Sequence, residues 1–61
     1  MPSESRFADV KRMLEAKGYR MTRISGSHHV FTKAGVRPVP IPVHNGKVTP
    51  GYVRMVRKLE A

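Results

Sequence analysis

The chain has 61 residues, no cysteine, and twelve Lys/Arg against four Asp/Glu, for a formal net charge of +8. A domain this short buries only roughly 60% of the surface its unfolded chain exposes, and the lack of cysteine removes disulfides and zinc–thiolate sites as reinforcement. No apolar run approaches the ~20 residues of a membrane span, Met1 to Arg12 lacks the continuous apolar stretch of a signal peptide, and the positive excess points to nucleic acid or another polyanion. We therefore expect one domain over residues 1–61, working in the cytoplasm and not at a membrane.

The expected order is helix, three strands, helix. Ser3 or Ser5 can cap the first helix by accepting from a free backbone N–H. Phe7, Val10 and Leu14 fall at i, i+3 and i+7 and make one apolar stripe. Gly18 stands where a left-handed residue closes a helix. Residues 19–24 suit a first strand, Ser25-Gly26 a short turn, and Ser27 to Thr32 a second strand. Lys33-Ala34-Gly35 connects to a third strand, Val36 to Val43. That strand holds Pro38, Pro40 and Pro42. Backbone N–H direction alternates along a strand, so all three missing donors point to one side. This is the pattern of an edge strand whose outer rim is blocked against pairing. After a turn at Asn45-Gly46, Thr49 caps and Pro50 opens a second helix. Tyr52, Val56 and Leu59 are its expected buried stripe, and Arg54, Arg57 and Lys58 a basic ridge. The architecture is α+β, α-β-β-β-α: a three-stranded antiparallel sheet with two helices on one face and the other face open.

The acids are unevenly placed. Glu4, Asp9 and Glu15 lie in the first quarter and Glu60 is next to last; from Ala16 to Leu59 there is none. This carboxylate-free stretch forms a basic surface suited to phosphates. It also contains all three histidines, His28, His29 and His44, and histidine is the residue type whose reference pKa lies near neutrality. Neighbours on a strand face opposite ways, so His28 and His29 cannot converge on one metal ion, and no metal site is expected. Phe31, the largest apolar group of its strand, should face the helices. His29 shares its parity and leans to the core, whereas His28, Val30 and Thr32 take the open face. His44 has the parity to join them.

The inventory limits the chemistry. Clustered carboxylates for a two-metal nuclease are missing, as is a carboxylate pair for glycoside hydrolysis, a cysteine nucleophile, and a nearby acid to orient a serine–histidine pair. RNA cleavage fits, because RNA supplies its own nucleophile in the 2′-OH. The protein then needs a proton-transfer group, worth typically 10²–10⁴-fold, and cations for the phosphate in the transition state. His28 suits the first role. It follows Gly26-Ser27, where backbone can come close to a ligand.

The segment Arg23-Ile24-Ser25-Gly26-Ser27-His28-His29-Val30-Phe31 resembles the signature of the HicA toxins. Pro42-Val43-His44-Asn45-Gly46-Lys47 and Thr49-Pro50-Gly51 resemble that family's stretch before its last helix, and Leu14-Glu15-Ala16-Lys17-Gly18-Tyr19 its glycine–aromatic helix end. Tyr19 stands where the family commonly has Trp, and the third strand is unusually rich in proline. The resemblance covers about residues 4–59. It implies a fold like that of double-stranded-RNA-binding domains, mRNA cleavage without a cofactor, and a HicB-type antitoxin as partner. It makes the first histidine of the pair, His28, the catalytic residue. Arg23, Gly26, Ser27, Lys47 and Arg54 are the residues expected to contact RNA, with His44, Lys47 or Ser27 as the second catalytic group. A non-catalytic double-stranded-RNA-binding module shares the charge and the fold, but leaves the Gly26-Ser27-His28 arrangement unexplained.

Overall fold

Apolar spacing and strand alternation produce seven short elements in the computed structural model, which describes residues 4–59. They are β1 (Ser5–Arg6), α1 (Phe7–Ala16), β2 (Arg20–Ser25), β3 (His28–Thr32), β4 (Val39–Pro42), β5 (Lys47–Val48) and α2 (Pro50–Lys58). β2, β3 and β4 form an antiparallel sheet with β3 in the middle. Both helices pack on its Phe31/Ile41 face. Val10 and Leu14 of α1, Val53 and Val56 of α2, Tyr19 and Val48 close a core with Phe31 and Ile41. Tyr19 apart, no residue with a polar or charged side chain is fully buried among the described residues. Burying each Val, Leu, Ile or Phe is worth about 1.5–3 kcal/mol, so these eight residues carry most of what holds so small a chain together.

The end of α1 is built as expected. Gly18 has φ +93°, Tyr19 N–H donates to Leu14 O at 2.9 Å, and Gly18 N–H to Glu15 O at 3.0 Å. The start differs. Ser5 does not cap; it lies in β1, opposite Val48, with Arg6 opposite Lys47. Arg6 takes the cap position without a side-chain cap bond, and Phe7 N–H donates instead to Gly46 O at 2.8 Å. The chain therefore enters α1 from an extended pairing that two residues could not announce. Ser3, the alternative cap, lies outside the described residues.

The β2–β3 turn is Gly26-Ser27, one residue later than expected, because Ser25 is still paired with His28. Gly26 supplies φ +59° at the first turn position, the conformation a II′ hairpin requires. β4 is shorter than the expected 36–43 and begins at Val39; residues 33–38 are a loop that turns through Val36 N–H to Lys33 O, 3.1 Å. Its proline logic holds. β4 is a sheet edge, and Val43 N–H donates to Ser27 O at 2.8 Å, on the β3 side, while Pro40 and Pro42 turn their donor-less nitrogens to the outer rim.

α2 begins at Pro50 with Thr49 before it, as expected, but the Thr49 side chain makes no cap bond. Its buried pair is Val53 and Val56; Tyr52 is exposed. Successive helical residues turn by about 100°, so Met55, Leu59, Tyr52, Val56 and Val53 span one broad apolar arc. The core takes Val53 and Val56 fully, and Leu59 packs half-buried against it as expected. Lys17 at the end of α1 holds the last turn of α2, its Nζ donating to Leu59 O at 2.7 Å.

Candidate nucleic-acid interface

Directly opposed residues in a sheet share a face. On β3, Phe31 is fully buried and fixes the helix side, so His29 lies on that side and His28, Val30 and Thr32 on the other. Pairing extends the open face sideways. Ser25 and Pro42 flank His28, Arg23 and Pro40 flank Val30, and Arg20 lies beside Thr32.

The two adjacent histidines thus have different surroundings. His28 is exposed at the corner of the open face. His29 is half-buried, its ring 4.5 Å from that of Phe7 and tilted by 50°, and Phe7 in turn lies 6.1 Å from Phe31. The Nδ1 of His29 is buried and has no hydrogen-bond partner among the described residues.

A β-bulge at Thr22 places Arg23. The register runs Met21 opposite Phe31 and then Arg23 opposite Val30, leaving Thr22 as the extra residue. Met21 and Ile24 thereby both lie on the helix side, although three positions apart. A regular strand cannot do this with its period of two. Arg23 is moved to the open face, one diagonal step from His28, where the long guanidinium arm can reach. The Met21/Ile24 spacing was the available signal for the bulge.

Of the other residues expected at the site, Gly26 and Ser27 form the exposed turn next to His28. A Cβ on Gly26 would meet nothing within 4 Å, so the space above it is open. His44 and Lys47 close the Asn45-Gly46 turn through paired backbone bonds of 3.0 and 2.9 Å, with Asn45 at φ +52° and Gly46 at φ +73°. The Val43–Ser27 bond brings this segment alongside the Gly26-Ser27 turn, and Lys47 is exposed. Arg54 does not join them. It projects from the outer side of α2, in the helix layer, with the sheet between it and His28.

The open face keeps its charge. Among the described residues the one ion pair is Lys11 with Glu15, 3.8 Å apart on α1. Among the described residues, Arg20, Arg23 and Lys47 are paired with no carboxylate, which leaves them to a phosphate. Such a face offers the His28 imidazole, cations and accessible backbone on a ledge suited to an extended polyanion.

Residues 7–60 match the family model described as HicA toxin of bacterial toxin-antitoxin. The chain belongs to the HicA toxin family. No match is found among curated proteins or among solved structures. Membership makes this HicA-family chain the toxin of a toxin–antitoxin system, with an antitoxin as its partner. Among the described residues, no helix is long and apolar enough to cross a membrane.

Proposed function

We propose that this toxin is a metal-independent endoribonuclease that cleaves mRNA in the cytoplasm, arrests translation and growth, and is neutralised by a HicB-type antitoxin. His28 is its catalytic residue. The observation that supports this reading is the separation of the histidine pair: His29 is packed against Phe7, while His28 is exposed on a carboxylate-free face beside Arg23. In the reaction the 2′-oxygen attacks the adjacent phosphorus, its proton is removed, the bond to the 5′-oxygen breaks, and that oxygen is protonated. His28 serves one of these proton transfers. Arg23, Gly26, Ser27 and Lys47 hold the phosphate backbone, and the cations offset the charge that builds on phosphorus. DNA lacks the 2′-OH and is not cleaved. Arg54, behind the sheet, contributes to RNA affinity only if the strand wraps around the domain edge.

The test is inducible expression of the wild type and His28→Ala, with growth and mRNA integrity followed over time. Growth arrest and mRNA loss with the wild type alone, both proteins being folded, is the expected result. Equal toxicity or equal harmlessness removes His28 from the chemistry and favours a non-catalytic double-stranded-RNA-binding module, which contacts phosphates and 2′-hydroxyls across a groove.

A further inference from the structure

The two edges of the sheet are guarded by different means. At β4, prolines remove the outward donors outright. At β2 there is no proline. Ser25 and His28 close the two-residue turn, so their backbone groups face each other, and alternation then directs the N–H and C=O of Ile24 and Met21 to the outer rim. Among the described residues no strand covers that rim, and five of the six β2 residues are exposed. Ile24 is 57% exposed, the most open of the large apolar side chains among the described residues. It lies on the helix side, opposite His29. Arg20 and Arg23 line the same rim on the open face.

We propose that the outer rim of β2 is a strand-addition site for an extended acidic segment of a partner protein, with carboxylates alternating over Arg20 and Arg23 and apolar residues over Met21 and Ile24. The identification of that partner as the antitoxin rests on the toxin–antitoxin reading; the site itself does not. The bulge at Thr22 and the two arginines keep a second copy of this chain away, since like charges opposed across strands repel. A charge barrier, unlike a proline, reverses sign for an acidic partner. Nucleic acid satisfies the arginines but has no amide ladder to offer the rim and no use for Ile24. A strand seated here sets its carboxylates beside Arg23 and His28, so it competes directly with a polyanion for the open face.

The experiment uses the full chain and a short synthetic peptide alternating glutamate with valine, beside a peptide of the same composition with its glutamates and valines in separate blocks. Binding is followed by titration and by amide exchange. The alternating peptide should bind more tightly and protect the Ile24 amide. Ile24→Pro gives β2 the outward block that β4 already carries and should weaken binding at least about tenfold. Equal binding of both peptides, unchanged affinity in Ile24→Pro, or protection confined to α2 overturns the proposal. Should Ile24→Pro not fold, the Arg20→Glu/Arg23→Glu pair decides instead: it should reject the glutamate peptide and accept its lysine counterpart, and continued glutamate preference overturns the site. None of these readouts requires RNA cleavage, so failure here and failure of the ribonuclease reading are separate results.

Discussion

Replacing His29 with phenylalanine should make the protein more stable without removing its toxicity. The ring packs 4.5 Å from Phe7, and phenylalanine preserves that aromatic contact. What it removes is Nδ1, which is buried without a partner. An unsatisfied buried polar atom costs about 1–3 kcal/mol. The ring is only half-buried and phenylalanine is slightly bulkier, so we expect a gain near the lower end, about 1 kcal/mol. For a domain of this size that raises Tm by about 4–8 °C. Thermal melts of purified wild type and His29→Phe measure it, with growth arrest scored in parallel. A fall in Tm of similar size refutes the reasoning, since it means that Nδ1 is satisfied in solution or that the slot admits no larger ring. Loss of toxicity in a variant that melts normally is just as damaging, because it moves His29 into the chemistry.

His28→Ala should leave stability within about 0.5 kcal/mol of wild type, as for other exposed sites, so that its loss of activity reads as chemistry; a denaturant titration checks this. Val53→Ala should cost about 1–2 kcal/mol through lost burial, and Arg54→Ala, at the exposed position beside it, no more than about 0.5 kcal/mol, by the same titration; the reverse order would mean that α2 is rotated. Gly18→Ala should cost about 1–2 kcal/mol for the left-handed backbone, plus displacement of the Lys33 side chain, whose Cε would lie 3.3 Å from the new Cβ. Gly35→Ala, at φ +81° with nothing within 4 Å, isolates the backbone part, and the Tm difference between the two measures the contact.

Features set by neighbours a few positions apart were readable from the residues alone. The Val10/Leu14 stripe, the Gly18 helix end and the outward prolines each follow from one local period. So do the opposite directions of His28 and His29. Other features depend on partners far along the chain or on too few residues. β1 and β5 have two residues each and exist only because they meet. The bulge hides in the Met21/Ile24 spacing, since a strand read with an unbroken period of two puts Arg23 on the Met21 side. In α2 the apolar arc is wide enough that sequence cannot say which half faces inward, and Tyr52 was expected where Val53 sits. Arg54 looked like part of a single basic surface because charge patterning carries no depth; the sheet separates it from His28.

The pairing of Ser5 with Val48 also makes the fold depend on contacts between distant parts of the chain. The first strand finds its partner far along the chain, and Lys17 reaches Leu59 across a separation of 42 positions. Contacts of such long sequence separation are slow to close and come late in folding. Folding of this domain is thus limited by closing these long loops rather than by its local hairpin and helices.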